Sequence, residues 1–184
     1  MVLSCWPLRG SHMRDLGRLG IALTVVAVIG ARTLESACAQ QSSRLDVGIA
    51  AGPTPYDLSG TGTALGAGIR APWQVQAWLI IEPGVGFLSY ESQFADRTSY
   101  LFPELSVQGQ FRLGRARPFL GGGVGGALVV QGEGETVETL HAVVGSRIDV
   151  SPDWVISGEI RVRAVQPWTG NTADFLVGVS RRIS

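Results

Sequence analysis

Residues 140–163 read LHAVVGSRIDVSPDWVISGEIRVR, two alternating segments on either side of the turn-forming residues Ser151, Pro152 and Asp153. In each segment nearly every second residue is apolar, and most residues between them are charged, polar or small. Successive side chains of a β-strand point to opposite faces, so this period of two predicts a pair of antiparallel strands. One face of the pair is apolar and the other is polar.

The same alternation extends from this hairpin to most of the chain. Eight segments carry it, and we predict strands at about 44–51, 62–71, 75–90, 98–113, 117–130, 136–150, 154–166 and 172–183. Tight connections at 72–74, 114–116 and 151–153 alternate with longer ones at 52–61, 91–97, 131–135 and 167–171. This order is typical of an up-and-down membrane barrel, which has short periplasmic turns and longer external loops. The even number of strands places both ends of the barrel on the periplasmic side.

One face of the predicted strands is almost wholly apolar. Arg181 is the one charged residue on it, and it lies close to a strand end. A lipid-facing arginine at the bilayer midplane destabilises a barrel by roughly 2–4 kcal/mol, whereas one near a strand end destabilises it far less. The residues of this face are Leu45, Val47, Ile49, Leu65, Ala67, Ile69, Leu79, Ile81, Val85, Phe87, Leu101, Leu105, Val107, Phe111, Leu113, Leu120, Val124, Leu128, Val130, Leu140, Ala142, Val144, Ile148, Val150, Trp154, Ile156, Ile160, Val162, Phe175, Val177, Val179 and Ile183.

The opposite face carries charges of both signs in equal numbers. Charges enclosed in a narrow barrel are tolerated when they are paired and hydrogen-bonded, so equal numbers suit an interior. Glycines concentrate on the same face, and residues without bulk fit the inside of an eight-stranded barrel. We therefore predict that this face points inward. Its charged residues are Arg70, Arg112, Arg147, Arg161, Arg163, Arg182, Asp46, Glu82, Glu104, Asp149, Glu159 and Asp174, and its glycines are Gly48, Gly62, Gly66, Gly68, Gly84, Gly86, Gly121, Gly123, Gly125, Gly145 and Gly178.

Alternation alone also allows the reverse arrangement. A soluble lipocalin-like barrel places its apolar face around a lipophilic ligand and its charged face in water. The aromatic residues favour the membrane interpretation, because they cluster at both strand ends as interfacial girdles do, although ordinary packing at strand ends gives the same placement. Those near the tight turns are Trp73, Phe119 and Trp154, and those near the longer connections are Tyr56, Tyr90, Tyr100 and Trp168.

Residues 1–39 are predicted to be a cleavable signal peptide. A basic start precedes the apolar segment 19–31 (LGIALTVVAVIGA), which is shorter than the roughly 20 residues of a transmembrane helix. Residues 37–39 (ACA) fit the pattern that a signal peptidase accepts. A lipoprotein acylated on Cys38 is the weaker alternative, since Glu35 stands where such proteins have an aliphatic residue.

Residues 40–184, the predicted barrel domain, hold neither cysteine nor lysine. A disulfide within this domain is therefore excluded. Four of the 15 basic residues and two of the 15 acidic residues belong to the predicted signal peptide. Residues 40–184 therefore have a net charge of about −2. A near-neutral chain without a basic patch offers no case for a nucleic-acid partner. No later segment is long and apolar enough for a transmembrane helix, so a membrane-spanning form must be a closed barrel.

Three segments resemble the small outer-membrane β-barrel domain proteins related to the transmembrane domain of outer-membrane protein A. Residues 111–128 (FRLGRARPFLGGGVGGAL) are similar to a turn and strand of that group, with an Arg-Pro-aromatic-Leu run before a glycine series. Residues 82–90 (EPGVGFLSY) and 175–182 (FLVGVSRR) are similar to other strands. The resemblance implies an all-β, eight-stranded antiparallel up-and-down transmembrane barrel. The chain departs from the group at 182–184 (RIS), where many members end in an aromatic residue.

His141 is the first candidate for a catalytic residue, because it is the one histidine after the signal peptide. Some outer-membrane barrels act on the acyl chains of lipid A with a histidine, a hydroxyl and a carboxylate. Thr139 and Glu138 are close in sequence, but Glu138 has the opposite parity to His141. In the absence of a suitably spaced serine or a second acid, we interpret His141 as an interior hydrogen-bonding residue and predict no enzymatic activity.

The densest charge cluster could gate an ion path, but a small barrel normally has a filled interior. A structural set of salt bridges is therefore favoured. The cluster consists of Arg147, Asp149, Glu159, Arg161 and Arg163.

Two further motifs receive a structural interpretation. Residues 121–126 (GGGVGG) lack the Lys-Ser/Thr of a phosphate-binding loop and precede no helix, which favours close strand packing. Glu133, Glu135 and Glu138 make one loop acidic without the spacing of metal ligands. We predict no catalytic, cofactor or metal site.

The sequence therefore predicts a monomeric integral protein of the bacterial outer membrane with a structural or surface-interaction role. Its expected partners are outer-membrane lipid, lipopolysaccharide and, during insertion, the barrel assembly machinery. The alternatives are a soluble secreted lipocalin-like barrel and a narrow pore.

Overall fold

The structure is a computed structural model that describes residues 44–58, 61–92, 95–132, 136–166 and 170–183. The predicted signal peptide lies outside the described residues, as do Glu133, Glu135 and Trp168. Within these ranges no helix has the length and apolarity to cross a membrane.

The strands follow one another in sequence order, each antiparallel to its neighbours, and β1 pairs with β9 to close the sheet. The two-residue strand β3 continues the line of β2 between β1 and β4. The predicted all-β, eight-stranded antiparallel up-and-down barrel is therefore confirmed. The strands are β1 (Arg44–Asp57), β2 (Thr61–Arg70), β3 (Trp73–Gln74), β4 (Leu79–Ser92), β5 (Ala95–Gln110), β6 (Ala116–Gln131), β7 (Val137–Asp149), β8 (Trp154–Val165) and β9 (Gly170–Ile183).

The turn predicted at 72–74 is wrong. Pro72 has no N–H to donate, yet its carbonyl accepts a hydrogen bond from the Asp46 N–H at 3.0 Å. The proline therefore interrupts the strand without ending it, and β3 resumes the pairing at Trp73. The connection to β4 lies instead at 75–78.

The predicted contrast between tight turns and long loops is also wrong. Pro53 and Pro55 belong to β1, opposite β2, at the stretch where the pairing of β1 with β9 is interrupted over residues 52–55. An interrupted ladder tolerates residues that lack an N–H, so the strand continues through a proline-rich segment. The connections at one end, here called the loop end, span 58–60, 93–94, 132–136 and 166–169, and those at the other, the turn end, span 75–78, 111–115 and 150–153.

The assignment of the two faces is confirmed. Most residues of the apolar face are exposed on the outside, for example Leu65 at 70% and Val124 at 56%. Arg161 lies inside with 0% exposure. Arg112 is wrongly predicted, since β5 ends before it and its side chain is exposed, whereas Arg117 of β6 is buried inside at 6% exposure.

The aromatic girdles are confirmed only in part. Trp73 and Trp154 are exposed on the outer face at the turn end. Tyr56, Tyr90 and Phe119 are buried in the interior, because their parity in the strands points them inward. Interior packing, rather than a membrane interface, accounts for these three rings.

Candidate functional site

The interior of the barrel brings together the predicted charged residues in layers. A rim cluster lies at the turn end and consists of Arg44, Asp46, Arg117, Asp149 and Arg182. Above it lies the buried network, with four positive and four negative side chains: Arg70, Arg147, Arg161, Arg163, Glu82, Glu104, Glu159 and Asp174. An aromatic cap fills the loop end with Tyr56, Leu88, Tyr90, Phe102, Ala127 and Val165, and Tyr100 packs against it.

Arg161 of β8 links the carboxylates of the buried network. Its Nη2 lies 2.8 Å from Glu82 Oε1, and its Nη1 lies 2.6 Å from Glu104 Oε2. Glu159 Oε1 lies 3.4 Å from the same Nη2. A planar guanidinium with five N–H donors can serve several carboxylates at once, which a lysine ammonium does less well.

Glu104 of β5 accepts from more arginines than any other acid of the buried network. Besides Arg161, its carboxylate contacts the Arg163 Nε and lies 3.4 Å from Arg70 Nη1. Arg163 also binds Asp174, whose second oxygen accepts a hydrogen bond from the Thr54 hydroxyl at 3.0 Å. Removing one partner of such a buried group leaves the others unpaired, so the network is stable only as a whole.

Arginines of the buried network also pack on aromatic rings. The Arg147 guanidinium lies 4.0 Å from the centroid of the Phe119 ring, and Arg163 lies 4.9 Å from that of Phe102. Arg147 Nη2 donates to Glu82 Oε2 at 2.7 Å and to Gln108 Oε1 at 2.6 Å. These contacts fix the guanidinium planes by stacking and by hydrogen bonds.

A column of glycines in β6 allows side chains of β5 and β7 to meet across it. Ser106 of β5 is paired with Gly123, and Gly123 is paired with His141 of β7. The Ser106 Oγ lies 2.7 Å from His141 Nε2, and a Cβ built on Gly123 would lie 2.8 Å from the His141 ring. The same Cβ would also meet the Leu105 carbonyl oxygen of β5, so the glycine series packs closely against the neighbouring strand, as predicted, and also leaves room for these side chains to meet.

Ser106 is the hydroxyl partner of His141 that sequence spacing did not reveal. The two residues are 35 positions apart and come together only through strand register. Glu104 Oε1 lies 3.9 Å from His141 Nδ1, which completes the residue types of a hydrolytic triad. Thr139 is buried beside this group, and Glu138 is exposed on the other face, as its parity predicts.

This serine, histidine and glutamate do not have the access that hydrolysis requires. Ser106 is 0% exposed and His141 is 5% exposed. The oxygens of Glu104 are occupied by arginines, and 3.9 Å exceeds a hydrogen bond to the imidazole. A substrate carbonyl has no path to the Ser106 hydroxyl, so the geometry supports a structural hydrogen bond between Ser106 and His141.

The lumen is filled along the buried network. A cavity of about 20 Å³ lies beside Arg70, Glu82 and Arg147, and one of about 10 Å³ lies beside Arg163 and Phe102. Each has room for about one water molecule. In the described part of the chain, no group of three or more His, Cys, Asp and Glu side chains could hold a metal ion.

We expect opposite effects from alanine at two neighbouring glycines, Gly145 and Gly158. A Cβ on the inward Gly145 would lie 2.7 Å from the Phe119 ring, whereas a Cβ on the outward Gly158 would meet nothing within 4 Å. Gly145→Ala should lower the free energy of unfolding by about 1–3 kcal/mol through overpacking. Gly158→Ala should leave it unchanged or raise it by about 0.4–1 kcal/mol. Urea unfolding in detergent, followed by tryptophan fluorescence, measures both, and equal effects would contradict the crowded interior.

No protein-family model matches the sequence, and no curated protein matches it. Solved structures match in fold. Neisserial surface protein A has a TM-score of 0.64 at 17% identity, over 76% of this chain and 97% of its own. Ail, the attachment invasion locus protein of Yersinia pestis, has a TM-score of 0.55 at 13% identity, over 78% of this chain and 100% of its own. The outer membrane enzyme PagL has a TM-score of 0.51 at 15% identity, over 76% and 99%.

These matches confirm the resemblance to small outer-membrane β-barrels at the level of the fold. One of the matching barrels is an enzyme and another is an attachment protein, so the fold is compatible with different activities. The function of this chain must therefore be argued from its own side chains.

Proposed function

We propose that this chain is an integral outer-membrane barrel with a structural or surface-interaction role and a filled, charge-paired interior. The observation that carries the proposal is the inverted distribution of side chains, with the apolar residues outside and the charges inside. In water the outer face would be an apolar band far larger than the roughly 300–600 Å² patches of soluble monomers. In lipid such a band is required, and the closed ladder satisfies the backbone groups.

The lipocalin-like alternative is not favoured by the interior. A lipophilic ligand needs an apolar cavity of some hundreds of Å³. The middle of this barrel instead holds the buried network, and the cavities beside it have volumes of about 20 and 10 Å³.

The narrow-pore alternative is not favoured either. Arg161 crosses the middle of the lumen and binds carboxylates from β4 and β5. A continuous water path would require these contacts to separate. In planar bilayers we therefore expect no discrete conductance steps from the folded protein.

In this proposal, residues 1–39 direct export and the barrel assembly machinery inserts the protein as a monomer. Outer-membrane lipid then surrounds the apolar band, and the loop end faces lipopolysaccharide and the outside. Ion pairs, rather than a ligand or cofactor, organise the interior.

Cell fractionation combined with SDS electrophoresis tests the proposal. The full chain, expressed in a Gram-negative host, should sediment with the outer membrane and resist extraction by high salt. Unboiled samples should migrate faster than boiled ones, because SDS leaves a closed barrel folded until it is heated. A soluble periplasmic protein without a heat-dependent shift would refute the proposal.

A further inference from the structure

The turn end carries exposed tryptophans, of which Trp73 and Trp154 belong to strands and lie on the outer face. Trp73 and Trp78 are each 45% exposed, and Trp154 is 46% exposed. They lie near the connections 75–78 and 150–153, where the apolar face ends. Indole rings, with an apolar body and one N–H donor, favour the boundary between acyl chains and headgroups.

Arginines without a carboxylate partner lie at the same end. Arg112, Arg115 and Arg181 are exposed, and none makes an ion pair with a carboxylate of the described residues. By contrast, Arg97 near the loop end pairs with Glu91 at 3.5 Å. Unlike the paired arginines of the rim cluster, Arg112, Arg115 and Arg181 are therefore available to an external anion.

Strand register places a tryptophan next to one of these arginines. Arg181 of β9 is paired with Trp154 of β8 on one side and with Val47 of β1 on the other. Directly paired residues share a face, and all three side chains are exposed on the outside. An arginine at the edge of an apolar band extends its stem along the band and its guanidinium toward the headgroups.

We propose that this arginine–tryptophan belt, formed by Trp73, Trp78, Arg112, Arg115, Trp154 and Arg181, binds the headgroups of anionic phospholipids. A guanidinium binds a phosphate through two parallel N–H donors, and a headgroup without an amine leaves that phosphate uncompensated. Among the described residues, the exposed charges near the turn end are Arg112, Arg115, Arg181 and Asp153. Those near the loop end are Arg97, Asp57, Glu91 and Glu138, so the excess of exposed positive charge lies at the turn end. The inference rests on the proposed function and adds a preference for the lipid of one leaflet.

Fluorescence quenching by brominated lipid tests the belt. Phenylalanine replaces Trp6, Trp73, Trp78 and Trp168, so that Trp154 is the single tryptophan of the chain. The folded protein is placed in phosphatidylcholine vesicles with equal fractions of dibrominated phosphatidylglycerol or dibrominated phosphatidylcholine. We expect the brominated phosphatidylglycerol to bind beside Trp154 about fivefold more strongly at low salt, the effect of one arginine near an anionic lipid.

Three variants complete the test. Arg181→Gln should bring the two lipids to equal quenching, Arg181→Lys should keep most of the preference, and Arg97→Gln at the loop end should keep all of it. High salt should also remove the preference, because exposed charges are screened. Equal quenching by the two lipids in the single-tryptophan protein, or a preference that Arg181→Gln retains, would overturn the proposed binding of anionic headgroups by the belt. A Trp154 that neither lipid quenches would instead overturn the proposed function.

Discussion

Glu104→Ala should lower the free energy of unfolding by about 3–5 kcal/mol, the usual effect of removing one partner from a buried set of ion pairs. The substitution leaves three guanidinium groups, those of Arg70, Arg161 and Arg163, without one of their acceptors. The Glu104 side chain is 0% exposed, so bulk solvent does not reach these guanidinium groups to take the place of the carboxylate. Urea unfolding of the protein in phospholipid vesicles, followed by tryptophan fluorescence, measures the change.

The matched control is Glu91→Ala, which removes an exposed partner of Arg97. Exposed pairs contribute about 0–1 kcal/mol, so this variant should unfold almost as the parent does. If Glu104→Ala does not insert, Glu104→Gln removes the same negative charge at nearly constant side-chain volume. The double variant Glu104→Gln with Arg163→Gln should recover part of the loss, because it restores the charge balance. Equal stabilities of Glu104→Ala and Glu91→Ala would contradict the role of the buried network.

Val124→Arg should destabilise the inserted barrel by about 2–4 kcal/mol, the penalty for an arginine on the lipid face near the midplane. Val124 lies near the middle of β6 and is 56% exposed on the outer face. A soluble barrel with the same residue in water would tolerate the arginine and gain solubility. Folding yield and urea unfolding in vesicles measure the penalty.

Val150→Arg is the matched control for the lipid face. Val150 is 55% exposed and follows β7 at the turn end, where the penalty falls to about 0–1 kcal/mol. A depth-dependent difference between the two arginines therefore reports on the bilayer rather than on the barrel itself. Equal penalties at both positions would contradict a membrane-spanning outer face.

The period of two was enough to predict the strands and their two faces. A shift by one residue would place Val124 inside and His141 outside, so alternation determines the faces wherever strands are continuous. It failed at Arg112, where β5 had already ended and alternation no longer applies. The prolines gave the opposite error, a connection predicted where the strand continues. Pro53 and Pro72 were predicted to lie in connections, but both lie inside paired segments.

Contacts between strands could not be predicted from the sequence. Ser106 and His141 meet only because the pairs β5–β6 and β6–β7 place Gly123 between them. Parity predicts that Gly123 and His141 face inward, but it does not show that they lie in one row with Ser106. The partners of Arg161 could not be predicted either, because they depend on the register of strands around the whole barrel.

The central claim, that the apolar face of a closed barrel is in contact with lipid, is tested most directly by labelling it. Two single-cysteine proteins are made in a background with Cys5 and Cys38 replaced by serine, and a bimane fluorophore is attached to each. One carries Val124→Cys on the outer face, and the other carries Arg115→Cys at the turn end for comparison. In vesicles, brominated acyl chains should quench the label at position 124 strongly and aqueous iodide should not, whereas iodide should reach position 115. Quenching at position 124 by iodide, without quenching by brominated lipid, would contradict the account.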